Sequence, residues 1–297
     1  MALGAAVLAL SVTGCKKNIE MIKVKGGTFS AAQINRISDI KIAQKDIMDE
    51  HSPDFSMSVS DFFISKFEIT QGLYKSIMEP DLDCNPEPSY FCQDAYADEN
   101  QELRPVERVT WYDAVVFCNR LSEKEGLEPV YKIEGIQRYS KDAAIKKASV
   151  TADFSKNGYR LPTHAEWVWA AAGGKKEKRI YKYSGSDDID EVAWYLFNSK
   201  DMTHQAGLKK PNGLGIYDMT GNVVEWCWDY LWQDEFENIN YVDYTGPEEG
   251  SYRYLKGGSF VEVSAGAEFP CGTYEKLGGT DYLRFYNTGF RVVRKAK

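Results

Sequence analysis

Cysteine is scarce in this chain, six residues in 297, which excludes a small scaffold held together by many disulfides. Histidine is scarcer. His51, His164 and His204 lie in unrelated segments without His-x3-His spacing or an adjoining carboxylate set, so no histidine-based metal centre is expected. Positive charge is in deficit, with 36 Lys+Arg against 44 Asp+Glu and a net charge of −8. That is the wrong sign for a partner made of phosphates, and nucleic-acid binding is not expected. Long apolar runs are missing too: Ala2–Val12 falls short of the ~20 residues that span a bilayer. There is no repeat of ~20 to 50 residues, P-loop, Rossmann fingerprint or serine nucleophile elbow. Aromatic residues, in contrast, are plentiful, with 7 Trp, 19 Tyr and 14 Phe, too many for a disordered chain. At ~150 residues per domain the length allows one large domain or two ordinary ones.

The apolar run has the length of a secretory signal core. Val12-Thr13-Gly14-Cys15 follows: an aliphatic residue, two small ones and a cysteine, the pattern of a bacterial lipobox. The expectation is a signal peptide over residues 1–14, acylation at Cys15 and a tether over 15–20 carrying Lys16 and Lys17, which would place the protein at the bacterial outer membrane or cell surface by a lipid anchor. Five cysteines then remain. Cys84 and Cys92 flank a Pro- and Asp-rich loop, and in an exported chain a local disulfide between them is expected. Cys118 and Cys227 read as buried thiols, leaving Cys271 over.

Helical patterns are few: Thr70–Met78, Thr110–Leu121 with Ala114, Phe117, Cys118 and Leu121 on one face, and Thr163–Ala172, with Thr70 and Thr110 placed to cap. Strand-like runs, Phe62–Ile64, Tyr131–Ile133, Tyr252–Leu255 and Phe290–Val293, are separated by long turn-rich connections. The pattern predicts an α+β fold with few short helices, few short strands and much irregular structure.

Several blocks stand in order along the chain. They are Phe67-Glu68-Ile69-Thr70 with Tyr74; Arg104-Pro105-Val106 with Val109–Ala114; Tyr159-Arg160-Leu161-Pro162-Thr163-His164-Ala165-Glu166-Trp167; Asn212–Trp226; and Lys256-Gly257-Gly258-Ser259-Phe260 with Gly289-Phe290-Arg291. Together they resemble the formylglycine-generating-enzyme (sulfatase-modifying-factor) family, a branch of the C-type lectin fold. The resemblance covers about residues 21–293 and implies a single domain over 21–297.

Arg160, Glu166, Glu225 and Arg291 sit beside Trp or Phe, and buried charge survives only when paired and hydrogen-bonded. Structural ion pairs are expected there. The resemblance implies a calcium loop from Asp218, Gly221, Val223 and Glu225, hard oxygen ligands suited to a structural Ca²⁺; the alternative is a turn capped by Asp218. A second calcium loop, between Asn198 and Lys209, would have Asp201 as its only acidic residue. No other cofactor is required.

Enzymes of the family use two cysteines after a "GGSW" segment to bind copper and oxidise a substrate thiol. Counting from Phe260, those positions are Glu262 and Ala267, which cannot replace two thiolates for Cu(I). No catalytic residues are assigned. The alternative is an oxidoreductase or other enzyme of the family with a non-standard site.

Residues 251–297 carry eight basic and four acidic residues and nine aromatics. Between Val261 and Tyr286 the aromatics mix with Ser, Gly and Thr without periodicity, the composition of a paratope. The stretch of about 256–291 resembles the variable region of proteins diversified by retroelements; with the lipobox, it is similar to treponemal variable lipoproteins of that group. The resemblance implies a variable ligand-binding surface of Val261, Ser264, Ala267, Phe269, Thr273, Tyr274, Thr280, Asp281, Tyr282, Phe285 and Tyr286. Its partner would be a protein or glycan on a host or neighbouring cell, bound by a monomer.

Overall fold

The computed structural model describes residues 19–30, 56–79, 83–93, 96–179, 181–231, 240–261 and 277–296. Three helices start where threonines cap them. Helix α1 (Gln71–Met78) opens with Thr70 accepting from the Leu73 N–H. In α2 (Trp111–Lys124) Thr110 accepts from the Asp113 N–H at 3.0 Å while Asp113 accepts from the Thr110 N–H at 3.0 Å, a reciprocal capping box. Thr163 and Glu166 repeat the device at α3 (His164–Ala171). Helix α2 runs one turn beyond the expected Leu121, because Ser122, Glu123 and Lys124 prolong it until Gly126, at φ 69°, turns the chain.

The strands form small sheets. One orders β1 (Met21–Val24), β4 (Phe62–Ser65) and β12 (Val293–Lys295); a second orders β10 (Leu277–Gly279), β9 (Arg253–Lys256), β7 (Val224–Tyr230) and β11 (Thr288–Gly289). A third orders β2 (Gly27–Ser30), β3 (Ser56–Val59) and β8 (Asn240–Val242), and β5 (Tyr131–Arg138) pairs with β6 (Ile145–Ala152) as a hairpin. Of the expected strand at Phe290–Val293 only its last residue is strand. Residues 290–292 instead cross from the second sheet to the first, with the Phe290 and Val292 carbonyls accepting from Ile69 and Ser65.

Two large apolar clusters fill the interior, one around α1 and α2 with Tyr74, Trp111, Phe117, Trp226 and Phe290, the other around α3 with Trp167, Phe62, Ile64 and Val293. Cys118 and Cys227 are buried thiols within them. Arg291 and Glu225, both with 0% side-chain exposure, lie between the two sheets and pair through two bonds, Nη2–Oε1 at 2.6 Å and Nε–Oε2 at 2.7 Å. The Trp167 indole N–H donates to the same carboxylate at 2.7 Å, and the guanidinium also reaches the carbonyls of Ser65 and Tyr217. Arg160 and Glu166 form a second two-bond pair, both at 2.6 Å. The four charges expected to be structural are therefore partners of one another.

Replacing Arg291 by Met strands the Glu225 carboxylate in the interior, and a loss of about 3–5 kcal/mol is expected. Urea denaturation checks this: the midpoint falls sharply for Arg291→Met and for Arg291→Lys, which lacks the two-pronged guanidinium, and partly recovers in Arg291→Met/Glu225→Gln. An unchanged midpoint in Arg291→Met would sink the argument.

Candidate functional site

The loop over residues 83–93 ends in two aromatics, Tyr90 and Phe91, whose backbone is held from inside. Glu107, buried, accepts from the Tyr90 N–H through Oε2 and from the Phe91 N–H through Oε1, each at 3.0 Å. The carboxamides of Gln71 and Gln101 both donate to the Phe91 carbonyl. Beneath the Phe91 ring lies the buried Arg104 guanidinium, 5.5 Å from its centroid, donating to Thr203 and Gln101.

Four rings meet there. Phe91 packs edge-on against Phe260 at 5.2 Å and against Tyr286 at 6.2 Å; Tyr286 also lies 6.0 Å from Tyr90 and 5.8 Å from Phe260. Phe260 is the buried floor, whereas Tyr90 is 64% exposed and Tyr286 45% exposed. Phe285 and Tyr282, in the same segment as Tyr286, are 56% and 53% exposed. Arg284 stacks 4.7 Å from the Tyr139 ring and pairs with Asp142, so the tip of the β5–β6 hairpin is latched to the same segment.

The carboxy-terminal segment is fastened at both ends to residues 222–224. The Phe260 N–H donates to the Asn222 carbonyl at 2.9 Å, and the Val224 N–H donates to the Asn287 carbonyl at 2.8 Å. Ser199 Oγ donates to the Phe260 carbonyl at 2.8 Å. Its own carbonyl meets His204 Nε2 at 2.6 Å, while His204 Nδ1 meets Glu99 at 2.6 Å. The imidazole thus bridges the Ser199 carbonyl and the Glu99 carboxylate. The Trp194 ring stacks on the imidazole at 3.8 Å. From sequence His204 reads as incidental; it instead fastens the loop under Phe260.

Of the expected ligand-contacting residues, Tyr282, Phe285 and Tyr286 are exposed, and Val261 and Thr280 are half-buried. Asp281 is half-buried. Its carboxylate accepts from Arg253 Nε at 2.9 Å and from the Tyr112 hydroxyl at 3.1 Å, which commits it to the frame. Cys15, Glu262, Ser264, Ala267, Phe269, Cys271, Thr273 and Tyr274 lie outside the described residues, as does His51. Tyr90 and Phe91 went unassigned in the sequence; the available signal was two adjacent aromatics in a turn-rich loop with no core periodicity.

Two further expectations are corrected. Cys84 and Cys92 carry separate thiols, because Cys84 packs into the apolar cluster beneath α1 while Cys92 faces outward. In the expected calcium loop the role of Glu225 is the second correction, since both its oxygens are taken by Arg291, whereas Asp218 keeps an unsatisfied oxygen. Gly221, at φ 78°, is needed for its backbone: a Cβ there would sit 2.2 Å from the Trp194 carbonyl oxygen. Among the described residues no group of three or more His, Cys, Asp or Glu is disposed to hold a metal.

The family described as the Sulfatase-modifying factor enzyme 1-like domain matches residues 9–296. The chain is 35% identical to Chaperone protein LppX of Paenibacillus barcinonensis, over 98% of this chain and 96% of that one. Among solved structures, Treponema denticola variable protein 1 is similar with a TM-score of 0.74 and 31% identity, covering 93% of this chain and 95% of that one. The formylglycine-generating enzyme of Thermomonospora curvata is 35% identical over 35% of this chain and 39% of that one. The α+β C-type lectin fold of the formylglycine-generating-enzyme type, expected from the ordered blocks, is the fold observed.

Burial raises Glu107 and Asp229 to about 7 and Asp218 to about 6. A carboxyl raised in the folded state stabilises fully below its ordinary value near 4, and that contribution is lost as pH rises through the folded value. The Tm is therefore expected to fall between about pH 4 and pH 7. Glu107→Gln should flatten part of that slope, and a Tm profile unchanged by the substitution would show that Glu107 does not carry it.

Proposed function

Given that the chain belongs to the Sulfatase-modifying factor enzyme 1-like family, we propose that it is a lipid-anchored surface protein that binds ligands and catalyses no reaction. The observation that carries this reading is the aromatic platform of exposed Tyr90 and Tyr286 and half-buried Phe91 over Phe260, with exposed Phe285 and Tyr282 in the same segment as Tyr286. Contiguous exposed rings on a fixed frame mark an interaction surface, and tyrosine supplies contact area at low entropic cost. In sequence, Phe260 leads into residues 262–276, where Phe269 and Tyr274 mix with small residues. In this reading that stretch varies and the frame stays.

Similarity to the treponemal variable protein supports diversification. Glu262 and Ala267, at the positions of the family's copper-binding cysteines, support the absence of thiol oxidation. Anchoring rests on the Cys15 lipobox; among the described residues no helix is long and apolar enough to cross a membrane. A second reading takes its support from Chaperone protein LppX: the platform would then hold apolar segments of client proteins.

DNA sequences of this locus from several isolates test the first reading. Substitutions should cluster between Val261 and Tyr286 at adenine positions while Tyr90 and Phe91 stay fixed; scattered silent changes would refute diversification. Incubation with copper and a cysteine peptide should leave the peptide unmodified, and formylglycine formation would overturn the binding reading. For the chaperone reading, suppression of aggregation of reduced insulin should be lost in Tyr90→Ala/Tyr286→Ala.

A further inference from the structure

The chain is acidic overall, yet cations collect around β1 and the loop that adjoins its end. In β1 the alternation of side chains sends Ile22 and Val24 to the core and Lys23 and Lys25 outward. Register places Lys23 and Arg294 on either side of Phe63 in β4, with their charged ends 6.0 Å and 4.6 Å from its ring. The loop after α3 adjoins this sheet. Gly174 lies against Val24, a Cβ on Gly27 would sit 3.1 Å from Lys175 Cε, and Trp169 Nε1 donates to the Lys25 carbonyl at 2.9 Å. Lys175, Lys176 and Lys178 are all exposed on that loop. Asp61 pairs with Lys25 at 2.7 Å and Glu177 accepts from the Gly213 N–H, while Arg294 has Glu125 close by across the Tyr159 hydroxyl. Among the described residues Lys175, Lys176 and Lys178 make no ion pair.

The place of these cations gives them a partner. Strand β1 begins at Met21, six residues after Cys15, and six residues reach at most about 20 Å. That tether adds Lys16 and Lys17. A chain anchored at Cys15 therefore holds β1, and the lysine loop beside it, within one tether length of the headgroups. Trp169 adds a partly exposed indole among the lysines, the pairing of aromatic and cation favoured at the polar boundary of a bilayer.

We propose that the surface at the end of β1, bearing Lys25, Lys175, Lys176 and Lys178, docks on an anionic phospholipid surface. This rests on the lipid-anchor reading for its proximity to the membrane, and on charge for its specificity. Acyl chain and basic patch act as two membrane signals, and the second fixes how the folded domain sits.

The full chain carrying Cys15→Ser, which cannot be acylated, is co-sedimented with phosphatidylcholine vesicles with and without phosphatidylglycerol. Binding should be stronger to the anionic vesicles and should fall with added salt. Lys175→Glu/Lys176→Glu/Lys178→Glu, at exposed positions and with an unchanged Tm, should lower the anionic partition at least about five-fold, the factor set by one surface charge. Equal binding to both vesicles, or a partition that the triple variant leaves intact, overturns the inference. Fatty-acid labelling of unaltered Cys15 is read separately. Its absence removes the anchor, whereas selective binding by the Cys15→Ser chain stands or falls on the basic surface itself.

Discussion

The Arg291–Glu225 pair is the constraint around which the rest is arranged. Glu225 belongs to the sheet under the aromatic platform, Arg291 precedes the strand that closes the other sheet, and Trp167 brings α3 to the same carboxylate. Much of this domain is loop, and loops cannot order themselves by repeating hydrogen bonds. A buried pair of opposite charges substitutes for that order, since each group is costly to bury unless the other arrives in place. Glu68 extends the knot, reaching the Asn222 side chain and the Val223 N–H. Burial, and then repulsion by Asp218 and Glu225, pushes Glu68 well above the usual carboxylate range. Within this knot three carboxylates, Glu68, Asp218 and Glu225, surround one guanidinium.

That knot explains which features were legible in the sequence. The capping threonines and helix faces follow from contacts within three or four residues, so Thr70, Thr110 and Thr163 announce their helices. Arg160 and Glu166, six positions apart, and Arg291 and Glu225, in separate blocks, could be named as paired because a charge beside tryptophan has few other fates. The partners were legible as types and became pairs only through the fold. Cys84 and Cys92 misled for the same reason: spacing suggested a staple, but the loop sends one side chain inward and the other outward.

The platform was half legible. Tyr286, Phe285 and Tyr282 stood out in a stretch without periodicity. Tyr90 and Phe91 reach them from almost two hundred residues earlier, positioned by Glu107, and nothing local to the loop points to that meeting. Asp281 shows the converse. Its neighbours in sequence suggest a contact residue, yet Arg253, lying 3.4 Å and 3.9 Å from the ring centroids of Tyr230 and Trp111, claims its carboxylate.

The two backbone bonds that tie Phe260 and Asn287 to residues 222–224 bring the ends of the intervening segment together whatever lies between them. With its ends fixed, such a loop pays for added length only logarithmically, about 0.6 kcal/mol for each doubling. The frame thus imposes almost no tax on insertions or deletions that leave β10, the Asp281–Arg253 pair and the Arg284–Asp142 pair in place. Relatives built on this frame can differ in the reach of the segment as well as in its chemistry, from a flat patch to a protruding finger, without re-engineering the core.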